Sequence, residues 1–429
     1  MKHFALKAAA AALAVPLSFG LGLGSAQANE PLRIGVTTFL SGPGAVFGVP
    51  AKDAADLLVE EINKKGGIKG APVELIYLDE AKGIDDVVAQ YKQLATAGKV
   101  DLMIAGLSSS TCLALAPVIE DFEMPAILWD CGTHRIFEEN DFDYIYRTGD
   151  FTPPNNVSIA LYTLKHNPDI KTIAGINPDY AFGRDNWESF KTAMEALDPD
   201  IEVVAELFPK LGSSDYSSEI SRLSALRPDI VFSTLWGGDM NTFIKQAASR
   251  SLFNNSTLVS SNGESALQEL GDAFPEGAII GARGDSWFLG PRTANNPEHT
   301  KFVEDFKAKT GHYPIFPAYH MAQSVTALEQ ALDKGWDGTP ENLKKGFLAG
   351  MDGLVLDNFT GQLAIRPDHQ AIEDQIIGVT VKSPDYSFPI LEQMTYIPAE
   401  LITPPVGTTT AEWAKTLSPK LLDEVTIAK

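Results

Sequence analysis

Short apolar runs alternate with amphipathic stretches along the chain from residue 30 onward. In the first part, the apolar runs predict β-strands at 32–37, 73–78, 102–105 and 126–129. Apolar residues at helical spacing predict helices from about Ala51 to Gly66, at 85–98 and at 113–122. Strands that alternate with helices of this length predict βαβ units and a parallel sheet.

The same pattern then starts again. It predicts strands at 172–176, 202–208, 230–234 and 257–259, and helices at 183–196, 216–226 and 240–249. Two α/β blocks in succession predict two lobes. A further strand at 278–281 and helices at 297–310 and 319–334 follow, then β-like segments from Gly361 and a Pro/Thr-rich tail beyond Ile402.

The first 28 residues have the features of a signal peptide. Lys2 and Lys7 make a positive start, an apolar stretch follows, and Ala26-Gln27-Ala28 fits the small-residue cleavage pattern. The apolar stretch is short and rich in Ala and Gly, which disfavours a membrane anchor. We therefore expect cleavage after Ala28 and export to the periplasm.

The net charge limits the classes of binding partner, and the cysteine content bears on disulfide formation. The formal net charge of −22 argues against nucleic acid or an anionic membrane surface as a partner. The two cysteines, Cys112 and Cys131, follow neighbouring predicted strands, and an oxidising compartment favours a disulfide between them. Two free buried thiols are the alternative.

Parallel α/β sheets bind ligands at the carboxyl ends of their strands, so the segments there are candidate sites. Ser41 to Gly48 approaches the dinucleotide fingerprint but has one residue too many and carries Pro43 in its turn. An exported protein also lacks a supply of dinucleotide. The run Ser108 to Thr111, at a predicted helix start, offers hydroxyls and N–H groups that suit a carboxylate. Its simpler explanation is a helix N-cap.

Other strand ends carry aromatic and polar side chains. Trp129 and Thr133 flank the end of the fourth strand. In the second block the corresponding segments are Asp179 to Arg184, Trp236 to Asp239 and Ser260 to Glu264. Their aromatic residues could clamp a ligand by area and shape, although such residues more commonly pack in the core.

Motifs for catalysis are missing from the sequence. There is no P-loop, no G-x-S-x-G elbow and no H-E-x-x-H, and the seven histidines include no pair at metal-ligand spacing. We therefore expect a protein that is not an enzyme and needs neither a cofactor nor a metal.

Several weak motifs in a specific order resemble the leucine/isoleucine/valine-binding family of type I periplasmic solute-binding proteins, which serve ABC importers. The resemblance covers about residues 31 to 335. Its motifs are Ser41-Gly42-Pro43 with Phe47, Ile62-Asn63, Gly66-Gly67-Ile68 with Gly70, the serine run before Ala116-Pro117, and Tyr180 to Gly183.

The resemblance implies an α/β fold with two Rossmann-like lobes, each with a parallel sheet, joined by a three-segment hinge. We expect the first lobe to comprise residues 29–149 and 280–358, and the second to comprise 150–279 and 359–402. Residues 403–429 would form a C-terminal tail. The lobes would close on the ligand like hinged shells.

The resemblance also implies which residues bind the ligand. Its carboxylate would be held by Ser110, with Ser109 or Thr111, and by Thr133 with the backbone around Cys131. Aromatic contacts fall on Phe47 in the first lobe and on Tyr180, Phe182 and Trp236 in the second, with Trp129 a further candidate. The acidic residue that binds an amino group in the family falls at Asn262, or at Glu264 if the loop is shifted.

These implications predict a monomeric periplasmic protein that delivers a small organic solute to an ABC permease and its ATPase. Because Asn262 replaces an acid, we expect a carboxylate-bearing or amide-like ligand with an apolar or aromatic body rather than an ordinary α-amino acid. The alternatives are branched-chain or other amino-acid binding, through Glu264, and a ligand-sensing module of a signalling system.

Overall fold

The computed structural model describes residues 1, 30–149, 151–281, 283–284, 287 and 292–428. Apart from Met1, the predicted signal peptide lies outside these residues. Among the described residues, no helix is both long and apolar enough to cross a membrane.

The first lobe contains a sheet of five parallel strands in the order β2-β1-β3-β4-β5. The strands are β1 (Leu32–Thr38), β2 (Val73–Asp79), β3 (Leu102–Ala105), β4 (Ala126–Leu128) and β5 (Ile145–Arg147). The connecting helices are α1 (Ala45–Lys64), α2 (Ile84–Thr96), α3 (Ser109–Asp121) and α4 (Arg135–Glu138).

Helices cover both faces of this sheet, which explains why the inner strands β3 and β4 are continuously apolar. In β3, Leu102 and Ile104 face the core under α1, whereas Met103 and Ala105 face the core under α2 and α3. Successive side chains of a strand point to opposite faces, so a strand buried on both sides has no polar positions.

The second lobe contains a seven-stranded sheet in the order β15-β14-β10-β9-β8-β6-β7. Its first part comprises α5 (Thr152–His166), β6 (Thr172–Ile176), α6 (Ala181–Leu197), β7 (Glu202–Leu207), α7 (Ser217–Leu226), β8 (Ile230–Ser233), α8 (Gly237–Ser249), β9 (Thr257–Ser260), α9 (Leu267–Leu270) and β10 (Ile279–Gly281). These strands are parallel, whereas β14 (Gln375–Val381) and β15 (Ile390–Ile397) are antiparallel additions.

Between β10 and β14 the chain returns to the first lobe. It forms α10 (Pro297–Thr310), α11 (Phe316–Gly335) and α12 (Leu343–Met351), and α11 packs along α1. A small antiparallel sheet follows, with β11 (Val355–Asn358), β12 (Gly361–Ile365) and β13 (Ala371–Glu373). The backbone N–H of Arg147 donates to His369 at 2.9 Å, which joins this sheet to β5.

The three crossings between the lobes therefore lie between β5 and α5, between β10 and α10, and between β13 and β14. The third differs from the expected boundary at residue 358. After residue 358, β12 pairs with β11 and β13 pairs with β12 beside the first lobe, and the chain enters the second sheet only at Gln375.

The C-terminal segment also differs from the expected separate tail. It forms α13 (Ala399–Ile402) and α14 (Thr410–Ala414), and Trp413, Leu417 and Val425 are buried in the core of the second lobe. Thr410 donates to Glu138 of α4 through its backbone N–H at 2.7 Å. The segment thus contacts both lobes beside the hinge.

The two cysteines follow neighbouring strands of the first sheet. Cys112 lies in the first turn of α3 and Cys131 follows β4, with Cα atoms 6.2 Å apart, and the structure pairs them as a disulfide. The pair ties together two loops at the carboxyl ends of β3 and β4.

Truncation of Trp413 tests the docking of the C-terminal segment. We expect Trp413→Ala to lower the free energy of unfolding by about 3 kcal/mol, because it removes a large buried side chain. Urea denaturation measures this change. Val406→Ala is the matched control in the same segment, since Val406 is half exposed, and equal effects of the two substitutions would contradict the docked arrangement.

Thiol titration tests the disulfide. We expect the unfolded, unreduced protein to have no reactive thiol, and reduction to lower the free energy of unfolding by roughly 3 kcal/mol for a loop of this length. The double variant Cys112→Ala/Cys131→Ala should be insensitive to the reductant. Two reactive thiols per chain before reduction would show that the bridge does not form.

Candidate ligand site between the lobes

A cavity lies between the two lobes, at the carboxyl ends of both sheets, and its empty space, including the part open to solvent, is about 260 Å³. Its first-lobe wall contains Phe47 of α1, Leu107 after β3 and Asp130 after β4. Its second-lobe wall contains Tyr180, Phe182, Trp236, Asn262 and Arg283, which follow β6, β8, β9 and β10. This is where an open parallel sheet presents its loops to a ligand.

Four of the eight described residues that line the cavity are aromatic, and aromatic rings also join the lobes. The indole of Trp236 lies 5.4 Å from the ring of Phe47 and 5.9 Å from that of Phe39, measured between ring centroids. Phe47 in turn packs edge-on against Phe316 of α11 at 4.9 Å. The apolar faces would shield the body of a bound ligand from water.

The lobes also meet at the start of α8. Gly237 has a φ of +55°, and a Cβ atom there would lie 2.6 Å from the carbonyl oxygen of Pro43 in the loop after β1. The neighbouring Gly238 N–H donates to that oxygen at 3.3 Å. Glycine at position 237 therefore allows the backbones of the two lobes to touch.

A buried ion pair supplies the charge in the cavity. The Arg283 guanidinium, 4% exposed, pairs with the Asp130 carboxylate, and it lies over the ring of Phe316 at 4.5 Å. His320 of α11 contacts the same carboxylate through Nδ1 at 2.9 Å, and its Nε2 lies 3.2 Å from the Arg283 carbonyl oxygen. Asp130 thus has two basic neighbours, and both contact its Oδ1 atom.

The loop around Gly132 leaves room for this arrangement. A Cβ atom at Gly132 would lie 2.7 Å from the ring of Phe182 and 3.8 Å from Nη1 of Arg283. A larger residue would displace Phe182. The Phe182 ring and the Arg283 guanidinium thus approach the first lobe at Gly132, which has no side chain.

The predicted carboxylate-binding loop holds a carboxyl group of the protein itself. Glu80, fully buried at the end of β2, accepts hydrogen bonds from the backbone N–H groups of Leu107 at 2.8 Å and Ser108 at 3.2 Å. The Ser108 hydroxyl caps α3 by accepting from the Thr111 N–H, and it also pairs with the Thr111 hydroxyl. Burial raises the pKa of Glu80, while these hydrogen bonds oppose the shift.

The second predicted carboxylate-binding group also contacts protein. The Ser109 hydroxyl accepts from the Thr133 N–H at 3.2 Å, and the Thr133 hydroxyl donates to Asp185 of α6 at 2.6 Å, across the cleft. Ser110 is half-buried in the first turn of α3, and the Cys131 carbonyl accepts from Arg147. Burial raises the pKa of Asp185, while the Thr133 hydrogen bond opposes the shift.

The structure thus divides the predicted site residues into two sets. Phe47, Tyr180, Phe182, Trp236 and Asn262 line the cavity, whereas Ser109, Ser110, Thr111, Cys131 and Thr133 are absent from its described lining. The difference has a physical reason, because Glu80 and Asp185 already satisfy the hydroxyl-rich loops. Trp129 is also outside the lining, since it is fully buried and donates to the Thr37 carbonyl at 3.0 Å.

Asn262 rather than Glu264 faces the cavity in this structure. Asn262 is part of the lining, and its Nδ2 donates to the carbonyl of Thr234 at 3.1 Å. Glu264 is turned toward α11, where its Oε2 accepts from the Phe316 N–H at 2.9 Å.

Leu107, Asp130 and Arg283 also line the cavity, although they are not among the site residues predicted from the sequence. Asp130 lay within a segment recognised as a strand end, and Arg283 follows a predicted strand by two residues, so the strand-end rule could have found both. His320 gave no such signal, because it is an isolated histidine inside an amphipathic helix. Among the described residues, no cluster of three or more histidine, cysteine or acidic side chains could hold a metal ion.

Comparison with known proteins places the chain in a family. A family model described as "Periplasmic binding protein" matches residues 31–383. Leu/Ile/Val-binding protein homolog 4 of Brucella melitensis is 26% identical over 378 residues, which cover 85% of this chain and 87% of that protein.

Solved structures with the same fold include two solute-binding proteins of ABC transporters from Rhodopseudomonas palustris. One, in complex with benzoate, has a TM-score of 0.76 at 18% identity, covering 88% of this chain and all of that one. The other, in complex with 3,4-dihydroxybenzoic acid, has a TM-score of 0.75 at 22% identity, covering 88% and 99%. At such identities the likeness concerns the fold, which is the two-lobed type I arrangement, and the family match over most of the sequence makes the chain a member of the periplasmic binding protein family.

Proposed function

We propose that this protein is the periplasmic solute-binding component of an ABC importer and that it binds a small organic carboxylate in the cleft between its lobes. Family membership and the two-lobed fold support a binding role. The protein would be exported with cleavage after Ala28 and would act as a monomer. It would deliver its ligand, chemically unchanged, to a membrane permease whose ATPase supplies the energy.

The observation that carries the ligand class is the Arg283 guanidinium in an aromatic-walled cavity. Guanidinium groups bind carboxylates through two parallel hydrogen bonds, and such bonds gain strength where water is excluded. If the N–H groups of Arg283 bind a ligand, His320 still contacts the Asp130 carboxylate. The ligand's carboxylate would therefore bind at Arg283 and not at the serine run.

The cavity favours an acid without an amino group. Its lining includes one described acidic residue, Asp130, which is already in contact with Arg283 and His320. A buried ammonium group needs a paired negative charge, and the neutral amide of Asn262 provides none. Phe47, Phe182 and Trp236 instead suit an aromatic or branched apolar body.

The names of the Brucella relatives keep amino-acid binding as the alternative. That alternative requires Glu264 to turn into the cleft as a carboxylate. Burial raises the pKa of Glu264 to about 8, and the hydrogen bond from Phe316 opposes the shift only in part. In its position against α11 this group is therefore mainly protonated at neutral pH, so amino-acid binding would require Glu264 both to turn into the cleft and to ionise.

A matched pair of ligands tests the role of Arg283. We expect titration calorimetry to give a higher affinity for benzoate than for benzamide, and Arg283→Met to lower the benzoate affinity by about 10- to 100-fold, because a charge-assisted hydrogen bond is lost. The preference for the acid over the amide should disappear in this variant.

Two controls separate binding from stability. Arg184→Met removes an exposed guanidinium near the cleft and should leave both affinities unchanged. The double variant Asp130→Asn/Arg283→Met avoids an unpaired buried carboxylate and should melt close to the wild type while still lacking the preference for the acid. Unchanged benzoate affinity in a folded Arg283→Met variant would contradict the proposed anchor.

The protonation of Glu264 predicts a pH dependence of stability. The unfolded chain releases this proton near pH 4.5, whereas the folded protein keeps it until about pH 8. The free energy of unfolding should therefore fall with rising pH between these values, by up to about 1 kcal/mol per pH unit, and level off above them. Urea denaturation across this range measures the slope.

Glu264→Gln should remove this contribution, because the amide oxygen still accepts from Phe316 and cannot ionise. Glu269→Gln, at an exposed position on the neighbouring α9, is the matched control and should keep the slope of the wild type. If Glu264→Gln and the wild type had parallel pH profiles, Glu264 would be ionised in the folded protein.

A further inference from the structure

Two buried polar atoms in the wall of the cavity have no hydrogen-bond partner among the described residues. They are the Oδ1 of Asn262 and the indole Nε1 of Trp236. Asn262 is 1% exposed and Trp236 is 7% exposed. A buried polar atom left without a partner costs free energy, so such atoms in a binding site indicate a group that the ligand supplies.

The orientation of the Asn262 amide is fixed by its surroundings. Its Nδ2 donates to the carbonyl oxygens of Thr234 at 3.1 Å and Leu235 at 3.5 Å. Carbonyl oxygens only accept, so a flipped amide would place its own oxygen against two acceptors. Asn262 therefore presents an acceptor that requires a donor.

Trp236 presents the opposite requirement. An indole N–H can only donate, so its partner must accept. The Tyr180 hydroxyl lies close enough to the indole to affect the pKa of Tyr180, yet the two form no hydrogen bond by geometry. The same wall of the cleft thus offers one unpaired acceptor and one unpaired donor.

We propose that the ligand carries a hydroxyl group that binds Asn262 and Trp236, so that the preferred solutes are hydroxy-substituted aromatic acids. A hydroxyl donates one hydrogen bond and accepts others, which meets both requirements with one group. An ionised carboxylate or an ether cannot donate to Asn262, and an ammonium group cannot accept from Trp236. This inference rests on the proposed function, which places the ligand's carboxylate at Arg283.

The physical basis of the selectivity is the acceptor left unpaired by an acid that lacks the hydroxyl. Sites built to bind a hydroxyl discriminate strongly against the analogue without it, because burial without a partner is unfavourable. Here the rejected analogue has the same ring and the same carboxylate. The hydroxyl subsite would therefore set the specificity within one class of acid.

Calorimetry with benzoate, 3-hydroxybenzoate, 4-hydroxybenzoate and 4-methoxybenzoate tests the inference. We expect at least one hydroxybenzoate to bind at least about tenfold more tightly than benzoate. The methoxy acid, which accepts but cannot donate, should not bind more tightly than benzoate.

Two variants assign the effect to its residues. Asn262→Ala should remove the preference for the hydroxy acid, measured as the ratio of the hydroxybenzoate affinity to the benzoate affinity within the same variant. Trp236→Phe keeps an aromatic ring against Phe47 but loses the donor, and it should reduce the preference only in part. Melting curves establish that both variants are folded.

The outcomes separate this inference from the proposed function. Equal binding of benzoate and both hydroxybenzoates by the wild type would overturn the hydroxyl subsite while leaving carboxylate binding intact. A preference for the hydroxy acid that persists in folded Asn262→Ala would also overturn it. If none of the four acids bound, aromatic carboxylates would be excluded as the ligand class, and the hydroxyl subsite would be excluded as well.

Discussion

The cleft depends on keeping a guanidinium charged inside the protein. A buried charge needs a paired charge and hydrogen bonds to offset the water it has lost. Asp130 provides that charge for Arg283, and His320 contacts the same carboxylate oxygen of Asp130. These residues come from three parts of the chain, namely the loop after β4, the segment after β10 and helix α11. They come together only when both lobes are folded and the second crossing, between β10 and α10, passes beside the cleft.

The same requirement explains why the hydroxyl-rich loops do not face the cavity. The amide groups at the start of α3 and the Thr133 hydroxyl lie in a buried region, so each needs an acceptor. Glu80 serves the first set within one lobe, and Asp185 serves Thr133 from the other lobe. A ligand carboxylate would have to displace one of these groups. We therefore propose the guanidinium as the anion site, because the donors of a guanidinium can bind more than one carboxylate.

The sequence predicts the two sheets because their strands are apolar runs bounded by turns, and it predicts the amphipathic helices by their spacing. It misses α5 because that helix is buried from Thr152 to Leu164 and has no polar face to reveal its period. Buried Asn155, Asn156 and Thr163 within it weaken the apolar signal further. The strand β5 is missed because it is three residues long.

For the candidate site, the sequence predicts which residues lie near the cleft but not which hydrogen bonds they form. Position along the chain places Phe47, Phe182, Trp236 and Asn262 shortly after strand ends, and they line the cavity. Position says nothing about how hydrogen bonds are distributed among neighbouring groups. Glu80 accepts from Leu107 and Ser108, which are 27 and 28 residues away in sequence, and Asp185 accepts from Thr133, which is 52 residues away. Such pairings become visible only in three dimensions.

The proposed closure and the proposed specificity would depend on the same contacts. Three contacts link residues of different lobes, namely the packing of Trp236 against Phe47, the approach of Gly237 to Pro43 and the hydrogen bond from Thr133 to Asp185. Each would be broken if the lobes separated. Trp236 would contribute to both processes, because its ring packs across the cleft while its N–H has no hydrogen-bond partner among the described residues. A ligand that satisfies this N–H stabilises the position of the ring and, with it, the closed arrangement, since any group that binds one conformation better shifts the equilibrium toward it.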